Sequence, residues 1–551
     1  MDFYRFPNEI FTLIIEHLVL EVGFTKAVRL RLVDSHFDSA ILFAICDRQI
    51  IDLFDPIIAM LNLITSPLLG RILLTKSRSK AATRIATLHV IATVNQELDK
   101  LIGCAQQHRH EQHLMISTAV AAYLRDDSKR HTARYLSEAE QVHSLMWGET
   151  RNEHLSVDDK LTAATIDKAH NLFCGAIVLG NLSLVKSLAS SVDINTVNYY
   201  FGQPLGLAAI WGHIDIVRYL LDHGADPHWI AEQSKSIAIC SIEAAYQLFE
   251  YKCPGGSALA AAALGGNNEI VSLLLEPEFR LSTLDREYCR AILYAARIGR
   301  PDLINLLLQV EGGSIRDDNY LREAMLWEAV CHNREKTVKL LLDHGANANE
   351  NSYGTYGPGY PLLVAAKLGH VRLVRMLLNN GAHMCPDNPS NVPIVYAAQQ
   401  GHVEVIKVLV DEYGEKLEHA LTPAASRGQV HLVKYLLHRG VNVHHCEAYS
   451  LGVGLRALIS AIQCRNLAII SMLADAGVPL NNDAHIYDDP MWMAKAHYTP
   501  WVFEHLLALG AEDRDYPGDH RIKYPSGMVY SQRQCGVLDT NPMTWRWQGR
   551  Y

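Results

Sequence analysis

The sequence predicts an all-α protein: a solenoid of about ten helix-turn-helix units, preceded by a short helical motif and a helical linker region. Three observations carry that expectation. The segment AAIWGHIDIVRYLLDHGAD at Ala208 to Asp226 returns as AAKLGHVRLVRMLLNNGAH at Ala365 to His383. With Gly212 as a marker, the equivalent positions are Gly180, Gly266, Gly299, Asn333, Gly369, Gly401, Gly428, Arg465 and Tyr498. Their spacing is near 33 residues: 32 from Gly180 to Gly212, 33 from Gly266 to Gly299, 34 from Gly299 to Asn333 and 32 from Gly369 to Gly401. A repeat of that length is a supersecondary unit that cannot bury its own apolar stripe, so neighbours must stack.

Composition agrees. At 551 residues the chain exceeds what one compact core serves, while 49% hydrophobic and 20% charged residues are ordinary globular values, so it is expected to fold nearly throughout. A net charge of -9 over this length argues against an extended nucleic-acid footprint. Eleven cysteines occur with no CxxC pair, which reads as buried reduced thiols. The start, with Asp2, Phe3 and Tyr4, lacks the basic then apolar order of a secretory signal. A cytoplasmic or nuclear setting is expected. The most apolar stretch, Ile57 to Leu74, is broken by Asn62, Pro67 and Arg71 and reads as buried helix instead of a membrane span.

In chain order, residues 1–45 form the first expected domain. Pro7 and Glu9 sit where a helix start favours them, with Ile10, Ile14 and Leu18 on one following face. Ala27 to Ile41 carries Leu30, Val33 and Phe37 at helical spacing. Residues 46–168 are the helical linker, with Leu88, Ile91, Val94 and Leu98 as an apolar stripe. From Pro56 to Gln96 there is no acidic residue, while Arg71, Lys76, Arg78, Lys80 and Arg84 make a locally basic, solvated surface.

The solenoid is expected over 169–520. In its clearest unit, Ala208 and Ala209 let helices approach closely, and Gly212 supplies a left-handed turn. Val217, Leu220 and Leu221 form the stripe of the second helix, which Gly224 ends before Asp226 and Pro227 open the loop. The 54-residue interval from Gly212 to Gly266 implies an insertion near 232–252 whose apolar spacing suggests an extra helix. The tail, 521–551, holds Trp545, Trp547 and Tyr551, and either caps the last unit or binds a partner.

The 33-residue period, paired alanines, Gly-His, Val-x-x-Leu-Leu helix and Gly-Ala-Asp turn together resemble the ankyrin repeat, over roughly Ala169 to His520. Phe6-Pro7-Asn8-Glu9-Ile10 followed by Leu30-Arg31-Leu32-Val33-Asp34-Ser35-His36-Phe37 resembles an F-box, with Phe6 where the family has Leu and an altered link at Leu20 to Lys26. That second resemblance implies docking to the small adaptor of a cullin-type ubiquitin ligase through Phe6, Pro7, Ile10, Ile14, Leu30, Val33 and Phe37, with the repeats selecting the protein to be tagged. The alternative is an ankyrin transcription co-regulator or scaffold.

No enzyme, cofactor or metal is expected. No GxxxxGK[ST] loop or Gly-x-Ser-x-Gly elbow occurs, and the cluster of His108, His110, Glu111 and His113 has HExH spacing, not the HExxH that sets two imidazoles on one helix face. His213, His370 and His402 follow marker positions one unit apart, where the resemblance implies structural hydrogen bonding. A protein partner is expected on the concave repeat face. Aromatic loop tips, Tyr199, Tyr200, Phe201, Trp229, Tyr353, Tyr356, Tyr360, Tyr449 and Tyr487, are either its anchors or packing against the next hairpin.

Overall fold

The computed structural model describes residues 11–19, 35–47, 66–78, 86–103, 106–124, 168–229 except 199, 256–311 except 284, 319–349, 360–383, 392–446, 451–482, 488–496 and 499–513. Secondary structure there is helical throughout, apart from one isolated bridge between Asn198 and Gly202. The chain divides into two compact units, Met1–Ala295 with Asp302–Gly313, and Ala296–Pro301 with Ser314–Tyr551.

The first unit opens with α1 (11–19) and α2 (Ser35–Leu42), the latter running into a wider turn at Phe43–Asp47. Phe11, Ile15 and Val19 form the buried face of α1, whereas Ile14 and Leu18 lie beside it, half-buried. Three longer helices follow: α3 (Ser66–Ser77), α4 (Ala86–Ile102) and α5 (Gln106–Leu124). The stripe Leu88, Ile91, Val94 and Leu98 is buried as its spacing requires.

These helices do more than join. α4 and α5 pack on α6 (Lys168–Val178), the first helix of the first hairpin. At Gly175 an added Cβ would stand 2.9 Å from Val94 Cγ1 and 3.0 Å from Leu98 Cδ1, so glycine sets the approach. Lys168 pairs with Glu97 at 3.1 Å over the same seam. The α3–α5 bundle thus covers an apolar repeat face that would otherwise meet water. Within it Lys76 is buried, so that lysine does not contribute to the locally basic surface expected there.

Ten helical hairpins follow among the described residues. In the first unit they are α6 with α7 (Leu182–Ala189), α8 (Pro204–Trp211) with α9 (Ile214–Asp222), α10 (Ala258–Gly265) with α11 (Asn268–Leu274), and α12 (Arg286–Ile298) with α13 (Pro301–Leu308), except that the turn of this last hairpin, Ala296–Pro301, is the second unit's short segment. In the second unit they are α14 (Asn319–Cys331) with α15 (Glu335–Asp343), α16 (Pro361–Leu368) with α17 (Val371–Asn379), and α18 (Pro393–Gln400) with α19 (Val403–Asp411). α20 (Glu418–Ser426) with α21 (Val430–His438), α22 (Val453–Gln463) with α23 (Leu467–Asp475), and α24 (Pro490–Ala496) with α25 (Pro500–Ala508) complete it.

Local chemistry sets each hairpin. Pro204, Pro361 and Pro393 stand at the first helical position, where the missing N–H costs nothing. Gly212 ends α8 at φ +81°, returning its N–H to Ala208 O and Ala209 O. Nine of the ten marker positions have positive φ, including Asn333 and Arg465, each at φ 56°; Tyr498 lies outside the described residues. Ala208, Ala209, Val217 and Leu220 are fully buried, and the equivalent Ala365, Ala366, Val374 and Leu377 repeat the pattern.

The insertion near 232–252 and the tail 521–551 lie outside the described residues. Cys174 is buried, as expected, but Cys446 and Cys464 are exposed, so buried thiols do not account for all the cysteines. Among the described residues no helix is long and apolar enough to cross a membrane.

Candidate partner-binding surface

At five of the markers the side chain just after the marker reaches back to the preceding hairpin. His213 Nε2 bonds Val178 O at 3.2 Å, Asn267 Nδ2 donates to Ala209 O at 2.9 Å, and Arg334 Nε donates to Arg297 O at 2.8 Å. His402 Nε2 bonds Lys367 O at 3.0 Å and Gln429 Nε2 donates to Gln399 O at 2.8 Å. A carbonyl only accepts, so both imidazoles carry their proton on Nε2. The marker must lack a side chain beneath this bond: a Cβ at Gly369 would lie 2.6 Å from His402 Nδ1. His370, which follows Gly369 and faces the hairpin whose marker is the non-glycine Asn333, has no close acceptor at Nε2. Its burial holds its pKa below the ordinary imidazole value, only partly opposed by a loose contact with the Cys331 backbone.

A second ladder ties the loops. Asn195 donates from Nδ2 to Gly224 O at 2.9 Å and accepts from Asp226 N at 2.9 Å. Asn349 repeats this with Gly381 O at 2.8 Å and His383 N at 2.6 Å, and Asn481 with Glu512 O and N at 2.9 and 2.8 Å. Each amide imitates a strand's paired donor and acceptor. Sequence reading missed these residues, although asparagine falling 15 or 16 positions after Gly180, Asn333 and Arg465 was a signal.

In the second unit the two sides of the hairpin row differ in charge. The second helices carry both signs, largely paired: Arg372 with Glu335 at 3.4 Å, Arg375 with Glu412 at 2.6 Å, Lys407 with Glu404 at 2.7 Å and Arg439 with Asp411 at 2.6 Å, while Lys336, Lys339 and Lys434 stand without an ion pair among the described residues. These contacts hold Asp411 and Glu412 below the usual carboxylate range, chiefly through the hydrogen bonds from Arg439 and Arg375. The first-helix side differs. Among the described residues the side chains of Lys367, Arg427 and Arg456 have no hydrogen bond and no carboxylate partner, and Arg456 Nε is buried without an acceptor. Glu418 is the one carboxylate on α16, α18, α20 and α22. Close first helices and more widely set second helices bend this row toward the cationic side.

The histidine cluster resolves into a structural network. His113 Nε2 bonds Asp99 Oδ1 at 3.1 Å, Arg109 Nε reaches Asp99 at 3.3 Å, and Arg78 Nη2 lies 3.4 Å from His113 Nδ1. Burial lowers the His113 pKa, opposed by Asp99. Among the described residues no group of three His, Cys, Asp or Glu is placed to hold a metal. Burial, with Glu328 nearby, raises the Cys331 thiol pKa far above its ordinary value, so it stays a thiol.

The predicted anchors separate. Tyr200 and Phe201 are buried, 7% and 3% exposed, as the packing alternative has it and not as freely presented anchors. The turn between Asn198 and Gly202 folds both inward, with Asn198 Oδ1 accepting from their N–H groups at 2.9 and 3.1 Å. Trp229 and Tyr360 are half-buried. Tyr199, Tyr353, Tyr356, Tyr449 and Tyr487 lie outside the described residues, as do Phe6, Pro7, Ile10, Leu30 and Val33. Phe37 lies on α2 with its side chain outside them.

Comparison with known proteins gives the family. The family model "Ankyrin repeats (3 copies)" matches residues 172–285, 259–352, 326–420 and 396–484. The human transient receptor potential cation channel subfamily A member 1 is 26% identical over 223 residues, 37% of this chain and 20% of that protein. A putative ankyrin repeat protein of fowlpox virus, FPV014, is 24% identical over 174 residues, covering 31% of this chain and 33% of the viral protein. The ankyrin repeat and KH domain-containing protein mask-1 of Caenorhabditis elegans is 27% identical over 314 residues, 56% of this chain and 10% of that protein. This chain therefore spans a third or less of the length of each of these relatives. The crystal structure of the human ASB11 ankyrin repeat domain aligns with TM-score 0.34 and 24% identity, covering 40% of this chain and 99% of that one. With the family model spanning more than half of the sequence, and its hairpins on the page, the chain belongs to the ankyrin-repeat family.

Proposed function

We propose that this protein captures another protein through the first-helix side of its second unit, and that the captured segment is acidic. The supporting observation is the charge contrast: acids and bases mixed and mostly paired on the second helices, against Lys367, Arg427 and Arg456 with Glu418 as the one carboxylate on the first. A half-buried guanidinium without an acceptor is costly until a carboxylate meets it. A fluorescein-labelled polyglutamate peptide tests this. Binding should fall at least about tenfold in the Lys367→Glu, Arg427→Glu, Arg456→Glu triple variant, since charged pairs of this kind contribute about 1.5 kcal/mol or more. Arg372→Glu with Arg375→Glu, on the opposite side, should leave it nearly unchanged. Equal loss in both variants would remove the proposal.

We further propose that the N-terminal segment links this capture to the small adaptor of a cullin-type ubiquitin ligase. The F-box resemblance supports it, as do two large apolar side chains left in water there, Leu13 at 60% and Phe43 at 43% exposure. Co-purification with the adaptor should be lost on replacing Pro7 and Ile10, and weakened by Leu13→Asp. Adaptor binding that persists in both variants would refute this arm alone.

A further inference from the structure

In the first unit α5 lies across the start of the second and third hairpins without closing on them. Thr118 from α5, Phe201 and Gln203 from the turn, Gly206 and Trp211 from α8 and Leu264 from α10 line a cavity of about 300 Å³. A benzene fills an engineered apolar cavity of about 150 Å³. This one therefore has room for a two-ring group.

Its walls are mostly apolar, and glycines bring backbone close to whatever lies inside, which suits a flat occupant. Gly206 is helical, and a Cβ there would stand in ordinary contact with Gln203 Oε1 at 3.5 Å and with Ala261 Cβ and Gly256 O at 3.9 Å, so a methyl fits without a clash while a larger side chain would reach into the cavity. The polar content is small and unsatisfied. Gln203 is 4% exposed, and its Oε1 has no hydrogen-bond partner. Its Nε2 holds only a long contact, 3.4 Å, to Asp226 O. Such a loosely tied amide can turn its oxygen into the cavity, and a buried acceptor left empty costs about 1–3 kcal/mol. An apolar occupant leaves that cost in place. One that brings an N–H or O–H removes it.

We infer that this cavity is a binding site for a planar, mostly apolar ring system bearing one hydrogen-bond donor, of the size of an indole. Phe201, Trp211 and Leu264 enclose the ring, and Gln203 takes its proton donor. The same chemistry is offered by a free indole-type molecule and by a tryptophan side chain on a protein segment.

The test is calorimetric titration of the full chain with indole and with 1-methylindole, which has nearly the same shape and no donor. Indole is expected to bind saturably and at least about tenfold more tightly, because only it satisfies the buried acceptor. Gln203→Leu should make the two ligands equal while the folding midpoint holds. Gly206→Leu fills the cavity and should abolish both; Gly206→Ala, whose added methyl fits, should weaken them in a chain that still folds. N-acetyltryptophanamide binding more tightly than indole assigns the site to a protein side chain, and weaker binding assigns it to a free small molecule. No saturable binding of indole, equal affinity for 1-methylindole in the unaltered chain, or discrimination that survives Gln203→Leu each overturns the inference.

Discussion

Asn333 and Arg465 occupy a left-handed turn that seven marker glycines adopt without strain, at Gly180, Gly212, Gly266, Gly299, Gly369, Gly401 and Gly428. Left-handed backbone costs an L-residue about 1–2 kcal/mol, less for asparagine. Asn333→Gly should therefore raise stability by a few tenths to about 1 kcal/mol in urea unfolding. Gly369→Ala should lower it by about 1–2 kcal/mol from the backbone alone, and by more once the methyl displaces the His402 ring. Two histidines give a pH signature. His113 and His370 have folded pKa values depressed by burial from 6.5, so above that value both states are neutral and the stability is fully present. As pH falls below 6.5 the unfolded chain takes up protons that the folded chain resists, and stability is lost toward the lower folded pKa. The loss between pH 7.5 and 5 should shrink in a His113→Gln, His370→Gln variant; Gln429 already fills the equivalent place in another hairpin.

Among the elements, the marker row was legible in the sequence even where glycine is replaced, because period and helix stripe locate Asn333 and Arg465 independently of residue type. The stripe of α4 was legible for the same reason. Its destination was not: that α4 and α5 cover α6 depends on Gly175 meeting Val94 and Leu98, a contact between segments about 80 residues apart. Gly175→Val should break that seam and destabilise the first unit by about 1–3 kcal/mol, the usual effect of overpacking, visible as faster hydrogen exchange in α6. For Tyr200 and Phe201 the sequence left anchoring and packing open, because loop position suggests exposure while only the local turn held by Asn198 turns them inward. Five other predicted anchors fall outside the described residues, so the aromatic reading stays a proposal for them.

For the molecule as a whole, two kinds of electrostatics should separate experimentally. The ion pairs along the second helices are exposed, and such pairs are screened within about 10 Å at 0.1 M salt. Raising salt from about 0.05 to 0.5 M should therefore barely move the unfolding midpoint while strongly weakening polyglutamate capture. An equal effect on both would mean that the unpaired cations serve folding instead of binding. The three bridging asparagines carry a further consequence, for the chain's chemical lifetime. Hydrolysis of the Asn349 amide leaves a carboxylate that cannot donate to Gly381 O and instead faces it with negative charge. A mass increase of about one dalton at such a position would thus coincide with an opened loop, making spontaneous deamidation a clock that loosens the repeats one junction at a time.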